Sequence, residues 1–165
     1  MIRIEMQDGG IIELELDPTS APITCQNFEK LANAGFYDGL TFHRIISGFM
    51  IQGGDPLGNG TGGSGETIPG EFAQNGVKND IAHIRGTLSM ARTNDPNSAT
   101  SQFFIMHEDA PHLDGSYAAF GRVIDGIEVV DAICEATPVT DNNGSVAREN
   151  QPVIASIAQI EKPTE

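Results

Sequence analysis

The stretch from Phe42 to Asp55 constrains this chain more than any other, because two short apolar runs flank a Ser-Gly break. This pattern is typical of two β-strands joined by a tight bend. Strand side chains alternate between two faces, so we expect Phe42, Arg44 and Ile46 to share one face. Burying an arginine there is costly unless it is paired or contacts a ligand. Arg44 therefore either extends to the edge of a sheet or works on a ligand.

The second apolar run continues the alternation. It predicts Met50 and Gln52 on one face of a strand, with Phe49 and Ile51 on the opposite face.

A third stretch, SQFFIM, predicts another strand, in which Gln102, Phe104 and Met106 share a face. Aromatic and sulfur side chains at such positions belong either to the core of a β-structure or to the wall of an apolar pocket. The residues themselves leave both readings of Phe49, Met50 and Phe104 open.

Six motifs follow one another along the chain: FHRIISGFMIQGGD, NGTGG, GTLSMA, SQFFI, LDG and FGRV. In this order they resemble the cyclophilin family of peptidyl-prolyl cis-trans isomerases, and the resemblance extends from the first strand to about Ile160. Sequence pattern alone allows an antiparallel barrel or a sandwich. The resemblance implies a mainly β fold, a closed eight-stranded antiparallel barrel with two capping helices and a groove on its outer surface.

The length suits a single domain. We expect an isomerase domain over residues 1–161 and a short C-terminal tail over 162–165. The predicted strands cover residues 2–7, 11–16, 41–46, 49–52, 87–91, 102–106, 117–123 and 153–160. One helix is expected from Pro22 until Gly35 stops it, and a second over 126–135.

The resemblance also implies which residues act. Arg44 would donate a hydrogen bond toward the prolyl nitrogen, and Gln52 would bind the substrate and help position Arg44. Phe49 joins these two in the catalytic group. The residues implied to bind the substrate are His43, Met50, Ala91, Arg92, Gln102, Phe104, His112, Leu113 and Tyr117. Phe49 of the catalytic group, together with Met50, Phe104 and Leu113 of the binding group, matches the walls of the proline pocket.

Four positions depart from the family pattern. Ser47 replaces proline, Arg92 replaces asparagine, and Tyr117 replaces histidine. His112 stands where eukaryotic members commonly have tryptophan, so we expect the cyclic peptide cyclosporin to bind only weakly. None of the four removes Arg44 or the pocket, so they bear on ligand preference more than on activity.

Composition limits the partners. A net charge of −14 repels phosphate backbones and anionic lipids, so we expect neither nucleic acid nor a membrane as a partner. Cys25 and Cys134 are expected to be buried free thiols, and no secretion signal is apparent, so we expect a cytoplasmic protein, with a processed exported form as the alternative. We also expect a monomer. The histidines lack zinc-site spacing, and no helix is predicted after the GNGTGG motif, so we expect neither a metal nor a cofactor.

Three functions remain open at this point. The first is isomerisation of X–Pro bonds in peptides and in unfolded or flexible client proteins. The second is a binding module that holds proline-containing segments with little turnover, and the third is a structural barrel without a ligand. Arg44 separates the first two, because a pure binder needs the pocket but no donor at the prolyl nitrogen.

Overall fold

The computed structural model describes residues 1–160, in which eight β-strands and two α-helices follow each other as predicted. The strands are β1 Ile2–Met6, β2 Ile11–Leu16, β3 Phe42–Ile46, β4 Met50–Gly53, β5 Thr87–Met90, β6 Phe103–Met106, β7 Ala119–Asp125 and β8 Ile154–Gln159. The helices are α1 Pro22–Asn33 and α2 Ile127–Ala136. The expected tail, residues 162–165, lies outside the described residues.

All eight strands form one antiparallel sheet in the order β3-β4-β6-β5-β7-β2-β1-β8. The two outermost strands, β3 and β8, meet where an isolated bridge joins Thr41 to Val153. The Phe42 N–H donates to the Pro152 carbonyl at 3.0 Å beside this bridge. The mainly β, eight-stranded architecture is thus confirmed, and the sheet curls round until its ends touch at this short seam rather than along a full ladder.

Helix α1 covers the apolar interior with the stripe predicted from its spacing. It begins at Pro22 and ends at Asn33, and Gly35, two residues further on, has a φ of +75° that suits glycine best. The Phe28 ring is fully buried, with its centroid 5.4 Å from that of Phe103 and 5.2 Å from that of Phe120. These aromatic contacts fix the inner faces of β6 and β7, and so aim the opposite faces of those strands outward.

Strict alternation fails in β3, so the prediction that Phe42 shares a face with Arg44 is wrong. Phe42 pairs with Gly53 and Arg44 pairs with Gln52, which leaves His43 as the extra residue of a β-bulge. Phe42 is consequently buried in the interior, while Arg44 is half-buried on the outer surface. The bulge is what allows an apolar core residue and a functional arginine to stand two positions apart.

The prediction that Phe49 lies opposite Met50 is also wrong. Phe49 lies in the bend before β4, where strand alternation does not apply, and it packs with Met50 on the outer surface. The bend is possible because Gly48 adopts a φ of +84°. It adds an aromatic ring to the outer face of the sheet.

Candidate active site

An apolar cluster outside the barrel forms the floor of the site. Its buried members are Met50, Phe104, Met106, Ala110 and Leu113. A cavity of about 120 Å³ opens on it, lined by Arg44, Phe49, Met50, Gln52, Ala91, Arg92, Phe104, Leu113 and Tyr117. All nine lining residues belong to the set implied by the family resemblance. The structure thus brings together residues from three strands, the bend, the Pro111–Leu113 turn and the loops after β5 and before β7 around one small apolar space.

A chain of polar side chains runs across the strands beside this cavity. The Arg44 Nη1 donates to Gln52 Oε1 at 3.3 Å, and Gln52 Nε2 donates to Gln102 Oε1 at 2.9 Å. The Gln102 Nε2 in turn donates to the Gly62 carbonyl at 2.8 Å and to that of Gly60 at 3.1 Å. The glycine-rich loop therefore fixes the amide of Gln102, which orients Gln52, which orients Arg44.

Arg44 is also held from its other side. Its Nε donates to the Asn143 carbonyl at 2.8 Å. The Asp141 carboxylate accepts the N–H groups of Asn143 and Ser145, both at 3.0 Å, and the hydrogen bond from Ser145 is the main reason that the Asp141 pKa is lowered. Within residues 1–160 Arg44 Nη2 donates no hydrogen bond, so a positioned guanidinium retains a donor at the edge of the apolar cavity.

A second, more polar cavity of about 280 Å³ lies next to the first and shares Gln52, Ala91 and Arg92 with it. Its other walls are Gly60, Thr61, Gly62, Gly63, Gly65, Thr93, Ser98, Thr100 and Gln102. The two cavities form one groove with an apolar end and a polar end. Such a groove suits an extended peptide that has one apolar ring.

Arg92 lines both cavities, and contacts with two aromatic rings and a backbone carbonyl hold its side chain in place. Its guanidinium lies 4.8 Å from the centroid of the Tyr117 ring and 5.0 Å from that of Phe72, and cation–π attraction favours both contacts. Nη2 and Nε donate to the Ser116 carbonyl at 2.7 and 3.0 Å. Phe72 and Ser116 had no signal in the sequence, because they lie on loops that only the fold brings to Arg92.

Two of the predicted site residues, His43 and His112, line neither cavity. His43, in the β3 bulge, is 6% exposed, and neither ring nitrogen has a partner within residues 1–160. Burial lowers its pKa, against the opposing attraction of Asp55, so the ring stays neutral at pH 7. His112 is exposed at the rim, with its ring centroid 5.8 Å from that of Phe49.

A buried histidine that the sequence did not single out supports the pocket floor. The His83 ring stacks on Phe104 with centroids 6.0 Å apart. Its Nε2 lies 2.9 Å from Ser89 Oγ, and its Nδ1 lies 2.9 Å from Asp114 Oδ1. Burial lowers the pKa of His83 despite the carboxylate of Asp114, so this side chain is a neutral support for the Phe104 ring.

The two cysteine thiols are unreactive in this fold. Cys25 and Cys134 are buried free thiols, as predicted, and burial raises their pKa values to about 12 and about 11. Residues 1–160 contain no group of three or more His, Cys, Asp or Glu side chains that could hold a metal ion. Over the same residues, every helix is too short or too polar to cross a membrane.

Comparison with known proteins identifies the family. The model of the cyclophilin type peptidyl-prolyl cis-trans isomerase family matches residues 1–159. The chain belongs to this family. It is 49% identical over 144 residues to peptidyl-prolyl cis-trans isomerase B of Bacillus subtilis, covering 87% of this chain and 92% of the relative. To the isomerase ppi1 of Schizosaccharomyces pombe it is 47% identical over 131 residues, covering 78% and 83%.

A solved cyclophilin shares the fold. The crystal structure of a Cryptosporidium parvum cyclophilin type isomerase, determined in the presence of the dipeptide Ala-Pro, superposes with a TM-score of 0.84. It is 34% identical in sequence, and the match covers 98% of this chain and 99% of that one. The activity that accompanies membership of the cyclophilin family is isomerisation of X–Pro peptide bonds.

Proposed function

We propose that the groove catalyses cis–trans isomerisation of X–Pro bonds in peptides and in unfolded or flexible proteins, and so assists protein folding. The observation that supports this is a fixed guanidinium, Arg44, beside an apolar cavity of about 120 Å³. The proline ring would sit against Phe49, Met50, Phe104 and Leu113. The Ala-Pro dipeptide used with the Cryptosporidium parvum structure is the kind of ligand that this cavity suits.

The chemistry needs neither a nucleophile nor a metal. Rotation about the peptide bond crosses a barrier of about 18–20 kcal/mol, because the planar amide is stabilised by resonance. In the twisted transition state the prolyl nitrogen gains a lone pair. Nη2 of Arg44, which donates no hydrogen bond within residues 1–160, would supply a donor for that lone pair, a contact that the planar ground state makes only weakly.

Several groups must share the stabilisation of the transition state. A thousandfold acceleration requires about 4 kcal/mol of transition-state stabilisation. A hydrogen bond to a charged group contributes about 1.5–3 kcal/mol, so Arg44 accounts for only part of the rate. The remainder would come from seating the ring in the apolar cavity and from holding the flanking chain with Gln52, Gln102 and the Ala91–Arg92 wall.

We also propose a location and an oligomeric state for the protein. Two buried free thiols fit a reducing compartment, so we place the protein in the cytoplasm, where it would meet client chains. We propose that it acts there as a monomer. An exposed imidazole at position 112 offers less apolar area than an indole, so cyclosporin should bind weakly.

The decisive test is the substitution Arg44→Ala, assayed by exchange NMR on an Ala-Pro peptide. We expect the exchange rate to fall at least about tenfold, equivalent to about 1.4 kcal/mol. The fold should persist, because the Arg44 side chain lies outside the barrel core. Arg122→Ala removes an exposed arginine of β7 and serves as the matched control.

Two results would overturn the proposal. Parent-like exchange in Arg44→Ala, with an unchanged circular dichroism spectrum, would remove the catalytic role of the guanidinium. A parent protein that binds the peptide without accelerating exchange would make the groove a binding module.

A further inference from the structure

The bend that contains Phe49 is fastened by a side chain outside the groove. The Gly48 N–H donates to Nδ1 of His107 at 2.8 Å. The backbone of His107 completes the connection, because its N–H donates to the Phe49 carbonyl at 2.8 Å. His107 thus grips the bend at two consecutive residues, directly before the first residue of β4.

The hydrogen bonds determine the tautomer of His107. A ring nitrogen that accepts a hydrogen bond has no proton, so the proton of the neutral ring lies on Nε2. Nε2 lies 3.1 Å from Asp131 Oδ1 on α2, and so donates to this carboxylate. The Arg85 guanidinium binds both oxygens of Asp131 at 2.7 Å, and these bonds are the main reason that the Asp131 pKa is lowered. Asp131 is therefore ionised and held in place.

The remaining groups near His107 are mostly anionic. Arg85 donates to the His107 carbonyl at 3.0 Å and also lies 3.8 Å from Glu108 Oε1. Asp109 accepts the Arg85 N–H at 2.8 Å. Cys134, on the same helix as Asp131, stays neutral because burial raises its pKa to about 11. A proton added at Nδ1 would be tolerated by these carboxylates, but it would abolish the bond from Gly48.

We propose that His107 is a positioning residue of the isomerase, which fixes Phe49 against the proline seat only while its ring is neutral. Protonation turns Nδ1 from an acceptor into a donor that faces the Gly48 N–H, so the bend loosens and the aromatic wall of the cavity shifts. Activity then falls in acid because the bend has moved, and not through a direct change in the groove. This inference rests on the proposed isomerase function.

The test measures kcat/KM for His107→Asn, His107→Ala and the parent in a series of buffers from about pH 8 to about pH 5.5. The Asn Oδ1 stands close to the position of Nδ1 and accepts from Gly48, but it takes up no proton. We expect the parent to lose about three- to tenfold in kcat/KM as the pH falls. His107→Asn should keep the neutral-pH rate throughout, and His107→Ala should be low at every pH.

Two further measurements separate this proposal from others. His112→Asn removes the exposed histidine beside Phe49, so this variant should keep the acid decline of the parent. The Gly48 amide proton reports the bond without any reference to activity, and its NMR resonance should move upfield on acidification in the parent but not in His107→Asn.

The outcomes are distinct. An acid decline of parent size in His107→Asn, or a Gly48 resonance that does not respond to pH, would overturn the role of His107. A parent protein inactive at every pH, with a Gly48 resonance that moves as expected, would instead count against the isomerase function while retaining the hydrogen bond.

Discussion

The apolar side chains on the two faces of β4 and β6 are buried almost equally, but they have different roles. Phe103 is 0% exposed and Phe104 is 5% exposed. Phe103 points into the barrel, where the Phe28 and Phe42 rings lie 5.4 and 5.9 Å from its own. Phe104 points outward, meets Tyr117 at 5.8 Å, and forms part of a cavity wall.

This difference shows that burial alone does not separate a core from a binding site. Both clusters are apolar, and both contain methionine and phenylalanine. The outer cluster opens onto a cavity of about 120 Å³ and has Arg44, Gln52 and Arg92 along the edge of that cavity. Open apolar area beside positioned polar groups is what distinguishes a ligand site.

The largest expected effect contrasts the two neighbouring phenylalanines. Phe103→Ala should destabilise the fold by about 3–5 kcal/mol, because it opens a cavity among packed rings. Phe104→Ala should cost less stability, since its outer side already faces open space, but it should weaken both peptide binding and turnover. Urea unfolding and the exchange assay measure the two effects on the same samples.

One result would contradict this prediction. If Phe104→Ala unfolds the protein while Phe103→Ala remains folded and active, the outer cluster is the true core and the cavity is incidental.

The next effect concerns the rim of the outer face. His112→Trp should tighten cyclosporin inhibition about ten- to thirtyfold, because about 60–80 Å² of added apolar contact contributes about 1.5–2 kcal/mol. The measurement is an inhibition titration of both forms in one peptide assay. Ile84→Trp adds an indole at another exposed position and should leave the inhibition unchanged. Nanomolar inhibition of the parent would show that position 112 does not control the inhibitor site.

The smallest expected effect concerns His43, the extra residue of the β3 bulge. Phe42 before it faces the interior, and Arg44 after it faces outward. Burial lowers the folded-state pKa of His43 below the ordinary value of about 6.5, so the unfolded chain binds protons more readily. Stability should therefore fall as the pH drops below about 6.5, by at most about 1.4 kcal/mol per pH unit for this group. Urea unfolding at pH 7.5 and pH 5.5 should show a smaller loss in His43→Leu than in the parent.

His83 provides the internal comparison for this prediction. Its pKa is lowered by burial as well, so a residual acid loss should persist in His43→Leu. Equal losses in the parent and in His43→Leu would mean that the buried ring of His43 takes up its proton without cost.

Much of the fold could be predicted from local pattern. The strands and helices stand within two residues of their predicted ends, because alternation, Pro22 and Gly35 act over short distances. The face of Phe42 and that of Phe49 could not be predicted in this way. A bulge and a bend each change the alternation: the Ser-Gly break indicates a bend but not that β4 begins only at Met50, and the bulge at His43 has no signature in the strand sequence.

The sequence by itself determined the inventory: eight short strands, two helices, and a family whose motifs name Arg44, Gln52 and the apolar seat. Tertiary structure decided which residues hold that inventory in place. Asn143 fixes Arg44 from 99 positions away, and His107 fastens the bend at Gly48 across 59 positions. Periodicity reports only neighbours within a few residues, whereas these hydrogen bonds exist because the curled sheet brings distant loops together.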